Sequence, residues 1–250
     1  MSLGLGLSRG NFTSWRGDIL GLPSWGLVQQ LPHDPSVRHP TWLMAIRRLE
    51  PYRHAVTDLR DRLRTGVLAP GTRIVAKDVS EDLGLSPTPV REAMARLAGE
   101  GLLVERRGDG FFVRVPTAPY LAELYRLSLV ILLEAQQGER RPRPDLSLVL
   151  GGEAQRDPVR AVERLFLAWA GESEGTALGA FYGLVLNQLG PVRRVEAQLL
   201  PDLAAEAQAL VALAEVPNDH LRRDALTEFH ARRVPFAAAL AQLLAPADDG

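Results

Sequence analysis

The chain has 250 residues, no cysteine and a formal net charge of −1. This length accommodates two domains of ordinary size. A content of 46% apolar and 24% charged residues is typical of a globular protein rather than a disordered one. The longest apolar run, residues 127–133 with Ser128 inside it, is far shorter than the roughly 20 residues that cross a bilayer. The absence of cysteine excludes disulfides and thiolate chemistry, and it fits a protein of the reducing cytoplasm.

Charge is divided unevenly along the chain. Residues 46–115 hold thirteen Lys or Arg against ten Asp or Glu, a net charge of +3. Residues 116–250 hold thirteen against eighteen, a net charge of −5. A basic segment followed by an acidic one favours a nucleic-acid-binding module attached to a domain that avoids phosphate.

The first 43 residues show no sustained apolar period, so no helix or strand is predicted there. They also lack the basic start and apolar core of a secretory signal. We therefore predict a poorly ordered extension over residues 1–45. Met44 stands just before the first periodic segment, which suggests the hypothesis that translation begins there.

Residues 46–115 predict three helices followed by a β-hairpin. Apolar residues at helical spacing indicate helices over residues 49–65 and 77–83. A third helix begins at Ser86, whose hydroxyl can cap the helix, or at Thr88. Two short apolar runs flank Gly108-Asp109-Gly110, which is typical of a hairpin turn. Three helices and a hairpin make a winged helix-turn-helix.

Residues 116–119 form a linker, after which helical periodicity returns without any strand pattern of comparable quality. We therefore predict a mainly α protein in which residues 120–245 form an all-α helical-bundle domain for effector binding and dimerisation. The predicted helices there are Tyr120–Gln137, Asp157–Ala170, Thr176–Leu189, Val192–Leu200, Asp202–Val216 and Asp219–Leu244, the last kinked at Pro235.

The third helix of the first domain carries the residues that suggest DNA reading. In a helix-turn-helix the second helix of the pair enters the major groove. Arg91 points away from the apolar face of this helix, and Arg reads guanine through two hydrogen bonds. Ser86 and Thr88 at the helix start are placed to bind phosphate oxygens.

The predicted wing offers a second set of DNA contacts. Arg106 and Arg107 at its tip are placed to enter a minor groove. The alternatives are that Arg91 is an ordinary surface residue and that the wing arginines only protect a strand edge from pairing.

Three runs carry a resemblance to a known family: Leu68-Ala69-Pro70-Gly71-Thr72-Arg73-Ile74, Leu83-Gly84-Leu85-Ser86-Pro87-Thr88-Pro89-Val90-Arg91-Glu92-Ala93 and Glu100-Gly101-Leu102. Together they resemble the GntR family of bacterial repressors and activators. The resemblance implies that Lys77, Arg91 and Arg107 contact DNA. We also predict a contact from Gly108 in the turn of the wing. It also implies a homodimer on a palindromic operator. Pro87 departs from the Arg often found in the family, which leaves the operator sequence open.

GntR proteins differ in the second domain, and the sequence separates the subtypes. An aminotransferase-like domain needs a Schiff-base lysine, but Lys77 is the only lysine in the chain and lies in the DNA-binding module. The metal-binding helical subtype typically uses three His and one Asp, but only His220 and His230 follow residue 119. We therefore predict no metal and no cofactor, and keep a metal-dependent sensor of small carboxylates as an alternative.

Residues 181–190 resemble a segment of the FadR-like subfamily, whose fatty acyl-CoA-responsive member binds its ligand without a metal. That resemblance implies an apolar cavity with a cationic group for an anionic effector, such as an acyl-CoA or an organic acid. The residues it implies are Tyr182, Asn187, Arg193, Arg194, His230, Arg232 and Phe236. The alternative is that the aromatic residues among them are only core.

No acid/base pair or nucleophile stands out in the second domain. Glu134, Asp157, Glu163 and Glu196 are interpreted as helix caps and solvated faces, so we do not predict an enzyme. An architectural DNA-binding protein without an effector is a further alternative, but it leaves the large second domain unexplained.

Overall fold

The computed structural model describes residues 41–137, 146–172, 177–214, 216 and 219–246. The chain divides into two units, Met1–Met44 and Ala45–Gly250, and nearly all described residues belong to the second. The predicted irregular extension therefore lies almost entirely outside the described residues.

The N-terminal half of the second unit contains the helices and the three-stranded sheet of a winged helix-turn-helix. The elements are α1 (Thr41–Arg64), β1 (Arg73–Ile74), α2 (Ala76–Leu83), α3 (Pro87–Gly99), β2 (Leu103–Arg106) and β3 (Gly110–Val113). Strand β3 lies between β1 and β2 in an antiparallel sheet, with Arg73 opposite Phe112 and Leu103 opposite Val113. Strand β1 was not predicted, because two residues are too short to show an alternating pattern.

Turn chemistry and apolar spacing explain this arrangement. Helix α2 ends at Gly84, whose φ of +64° places it in the left-handed region that glycine adopts without strain. Two residues later α3 begins with Pro87 at its first position, where no amide donor is needed. The inward face of α3 packs on α1, and each large apolar side chain buried in this way stabilises the fold by about 1.5–3 kcal/mol. The core residues contributed by α1 and α3 are Ala55, Val56, Leu59, Leu63, Val90, Ala93, Met94 and Leu97.

The second half of the unit is helical, which confirms the predicted mainly α class. One large apolar core joins its helices, with Trp169, Phe166, Tyr125 and Tyr182 among the fully buried side chains. Of the helices that the structure describes, none is both long and apolar enough to span a membrane. The helices are α4 (Ala118–Ala135), α5 (Ser147–Arg156), α6 (Pro158–Ala170), α7 (Ala177–Val195), α8 (Leu203–Ala212), α9 (Asp219–Arg233) and α10 (Ala237–Leu243), with 3-10 turns at Glu196–Gln198 and Val234–Phe236.

Three features of the bundle differ from the sequence prediction. Helix α5 was not predicted, because two consecutive glycines, Gly151 and Gly152, normally disfavour a helix. Leu150 and Ala154 of this helix are nevertheless fully buried. Helix α7 continues through Pro191, where two separate helices were predicted. Instead of a kink at Pro235, a 3-10 turn separates α9 from α10.

Candidate nucleic-acid interface and effector site

The outer face of α3 is open to solvent. Ser86, Thr88 and Arg91 are all exposed, whereas Val90 and Met94 on the opposite face are buried. The structure therefore brings the three predicted DNA contacts of this helix to one surface. Ser86 stands at the N-cap position but its side chain makes no capping hydrogen bond, so the predicted capping role is wrong. Its hydroxyl is exposed at the helix start, where anions bind well.

A carboxylate fixes the far end of α3 against α1. Arg60 donates to Glu100 at 2.8 Å, and Arg96 donates to the same carboxylate at 2.8 Å. Although burial alone would raise the pKa of Glu100, these two arginines lower it below its usual range. The carboxylate therefore stays ionised and holds the recognition helix in place.

The remaining predicted DNA contacts lie on α2 and on the wing. Lys77 is exposed and lies 3.8 Å from Glu81, one turn along the helix. Arg106 covers the ring of Phe112 at 4.2 Å from the ring centre. Arg107 and Gly108 lie in the exposed turn between β2 and β3, where a φ of +83° requires a glycine at position 108.

Inside the bundle, two of the predicted effector residues meet at Ser128 of α4, and a third, Arg193, lies beside one of them, Tyr182. The Ser128 hydroxyl lies 2.8 Å from Nε2 of His230 and 3.4 Å from the hydroxyl oxygen of Tyr182. Nδ1 of His230 lies 2.7 Å from the carbonyl oxygen of Leu226 and must carry the proton, so Nε2 accepts from Ser128. Burial, together with the charges of Arg193 and Arg233, lowers the pKa of His230 to about 3.

Arg193 is the unusual member of this group. Its side chain is 1% exposed, and none of its three guanidinium nitrogens has a hydrogen-bond partner among the residues that the structure describes. Burial disfavours its charge, but Tyr182 and the carboxylates of Glu196 and Glu163 raise the pKa of Arg193 above its usual range. The result is a buried cation that lies beside the Tyr182 hydroxyl and 5.7 Å from the ring centres of Phe166 and Phe229, without a close hydrogen bond to any described residue. Such groups are costly unless a partner completes them.

Two of the other predicted effector residues, Arg194 and Arg232, pair with carboxylates and not with this group. Arg232 is at the surface and binds Asp202 at 2.7 Å and Glu206 at 3.0 Å. Asn187 is half-buried on α7, and Phe236 packs at the edge of the core. Arg194 points to Asp157 at 3.0 Å.

Little free space surrounds Arg193 in this conformation. The cavity that reaches it measures only about 10 Å³, which is far too small for an acyl chain. Among the described residues, no group of three or more His, Asp or Glu side chains is arranged to hold a metal ion.

Two buried carboxylates were missed by the sequence analysis. Glu163 and Glu196 are each 1% exposed, so their interpretation as solvated or capping residues is wrong. Asp157, in contrast, does cap α6 by accepting from the Arg160 amide at 3.0 Å. The spacing carried a signal, because Glu163 lies three and seven residues before Phe166 and Ala170, both on the buried face of α6.

Comparisons with known proteins agree with this architecture. The sequence pattern described as "Bacterial regulatory proteins, gntR family" matches residues 51–113. An HTH-type transcriptional regulator from the TAR-I ttuE-ttuC' intergenic region of Agrobacterium vitis is 31% identical over 122 residues, which is 46% of this chain and 70% of that protein.

A second relative is the HTH-type transcriptional regulator McbR of Escherichia coli (strain K12), 37% identical over 78 residues. That match covers 31% of this chain and spans only 35% of the length of McbR. The solved structure of E. coli McbR/YncC is similar over more of the chain, with a TM-score of 0.62 at 25% identity. It covers 78% of this chain and 98% of that one.

Proposed function

The chain belongs to the GntR family of bacterial regulatory proteins, and we propose on this basis that it is a sequence-specific DNA-binding transcriptional regulator controlled by a small anion. Helix α3 enters the major groove, Arg91 reads a base edge, and Ser86 and Thr88 bind phosphates. The wing residues Arg106, Arg107 and Gly108 lie along the neighbouring minor groove, and Lys77 binds the backbone. The observation that carries this reading is the exposed outer face of a helix whose other face is buried.

A homodimer presents two copies of α3 to the two halves of a palindromic operator. An apolar groove of about 590 Å³ between α4 and α7 supports this proposal. Leu127, Val130 and Phe181 on these helices are 46%, 60% and 62% exposed, which is unusual for large apolar side chains unless a partner covers them. A second copy of the chain is the occupant we propose, in the cytoplasm where operators lie.

The effector we propose is a small carboxylate or phosphate ester held by Arg193. An anion placed there accepts from the guanidinium donors and from the Tyr182 hydroxyl, which satisfies a buried cation that has no close hydrogen bond among the described residues. Because a cavity of about 10 Å³ is too small for such an anion, the bundle must widen to admit it, so binding is coupled to a conformational change. Such coupling typically changes operator affinity by about 5–150-fold.

Thermal unfolding of the full chain with a panel of small carboxylates, phosphate esters and acyl-CoAs tests this site. A true effector raises the unfolding temperature, because at 100 times its Kd it stabilises the folded state by about 2.7 kcal/mol. The Arg193→Met variant keeps the side-chain volume and is expected to lose that response. Arg223→Met, which changes an exposed arginine of α9, is the matched control and keeps it. An equal response in Arg193→Met and the wild type rules out Arg193 as the anion site.

A further inference from the structure

Glu163 connects the interior of the bundle to the DNA-binding module. It belongs to α6 and is 1% exposed, yet its Oε2 accepts from Nη2 of Arg64, at the end of α1, at 2.6 Å. Arg194 of α7 lies 3.7 Å from the same oxygen. Its other oxygen, Oε1, has no hydrogen-bond partner among the described residues. A buried carboxylate of this kind depends on its cationic neighbours, so loss of either one is felt strongly.

Helix α7 reaches the DNA-binding module at the same place. A Cβ added to Gly190 would lie 3.1 Å from the Cα, Cβ and Cγ atoms of Arg64, so α7 and α1 touch backbone to backbone there. Two residues earlier, Gln188 donates to the carbonyl oxygen of Glu100 at 3.0 Å, just after α3. Arg64 is therefore held through its backbone by α7 and through its guanidinium by α6.

We propose that Glu163 is the positioning residue that sets the pose of the DNA-binding module on the helical bundle. This inference rests on the proposed function, because the pose is read out where a dimer binds the two halves of an operator. In a dimer, a fixed pose of each module fixes the distance between the two copies of α3.

Half-site spacing is the measurement that separates positioning from simple structural support. A duplex is first selected from a random library with the full wild-type chain, and derivatives are made in which its two halves are moved apart by one to four base pairs. We expect the wild-type chain to bind the altered spacings more than about tenfold more weakly than the best one. Glu163→Gln is expected to bind the best duplex with an affinity within about threefold of the wild-type value. Its affinities for the other spacings are expected to differ from that for the best duplex by less than about threefold.

Two further variants make the test specific. Arg64→Met breaks the same pair from its more exposed side and is expected to reproduce the flattened profile even where Glu163→Gln folds poorly. Glu153→Gln is the matched control, since among the described residues that carboxylate pairs with Arg160 and Arg164, which both belong to the bundle.

Each other result overturns the proposal. If Glu163→Gln and Arg64→Met weaken DNA binding equally at every spacing, the ion pair only supports the fold. If the dependence of affinity on spacing is unchanged in both variants, the pair has no role in the pose. A flat wild-type profile overturns the positioning role. If the wild-type chain selects no duplex at all, the proposed function itself fails, at an earlier step that is distinguishable from these.

Discussion

Arg91 and Arg193 carry the same guanidinium group in opposite surroundings. Arg91 is exposed on α3, where its donors are available to a base edge. Arg193 is 1% exposed in the bundle, where water cannot satisfy its donors. The first is therefore suited to a macromolecular partner that approaches from outside, and the second to a small anion that is enclosed.

Replacing Arg91 tests the reading role directly. Arg91→Ala is expected to weaken binding to the selected duplex by about 1–3 kcal/mol and to relax the preference at one base position, because a bidentate contact to guanine is lost. Competition binding on single-base variants of the duplex measures both effects. Arg126→Ala, an exposed arginine on α4, is the control and is expected to change neither. Unchanged affinity and selectivity in Arg91→Ala would remove this residue from the reading role.

The exposure of Arg91 could be predicted from the sequence, whereas the burial of Glu163 could not. Arg91 lies off the apolar face of a short helix, so its exposure follows from periodicity within α3 alone. The burial of Glu163 depends on Arg64, which lies 99 positions earlier, and no local pattern contains that pairing. Spacing on α6 indicated an inward position, but the general rule that carboxylates are exposed outweighed it.

Among the helices, α7 contributes to the bundle core, to the contact with α1 and to the exposed apolar groove. One side carries Tyr182 and Arg193 into the core, Gly190 touches α1, and Phe181 lies on the exposed apolar groove shared with α4. It continues through Pro191, although a proline inside a helix costs a hydrogen bond, because Val192 and Arg193 are buried beyond it. Periodicity therefore predicted that a helix exists here, whereas tertiary packing determined where it ends.

A charge placed in this groove tests dimerisation. Phe181→Asp is expected to weaken the homodimer by at least about tenfold in Kd, because burial of one large apolar side chain contributes about 1.5–3 kcal/mol. Sedimentation equilibrium over a range of concentrations measures the change. Val67→Asp, at an apolar residue that is 72% exposed in the DNA-binding module, is the control and keeps the wild-type assembly. A Phe181→Asp chain that dimerises like the wild type contradicts the groove as the interface.

For the molecule as a whole, the bundle core mixes aromatic packing with buried ionisable groups. Arg233 donates to Glu196 at 3.0 Å and to Glu206 at 2.6 Å, and its guanidinium covers the ring of Phe229. His230 stacks on Phe166 at 5.8 Å between ring centres. The free energy of unfolding therefore depends on the protonation of these groups, because water cannot screen a change of charge inside the core.

His230 gives the pH dependence of stability a definite sign. Its pKa is about 3 in the folded chain, against 6.5 for a free side chain, because burial and the charges of Arg193 and Arg233 disfavour the imidazolium. Above pH 6.5 the ring is neutral in both states. Below pH 6.5 the unfolded chain binds a proton on this side chain and the folded chain does not, so the free energy of unfolding falls by about 1.4 kcal/mol per pH unit.

Between pH 7.5 and 5.5 we therefore expect a loss of about 1.4 kcal/mol in urea unfolding, a range above that in which carboxylates titrate. His230→Asn is expected to be less stable at pH 7.5 but to show a flatter pH dependence, since the group that refuses the proton is gone. His54→Asn, at an exposed residue of α1, is the matched control and is expected to keep the wild-type slope. A slope in His230→Asn as steep as that of the wild type would show that other groups carry the dependence.

An anion bound at Arg193 would offset part of one of the two charges that oppose protonation of His230. A bound effector is therefore expected to lower the pH at which the chain unfolds in acid.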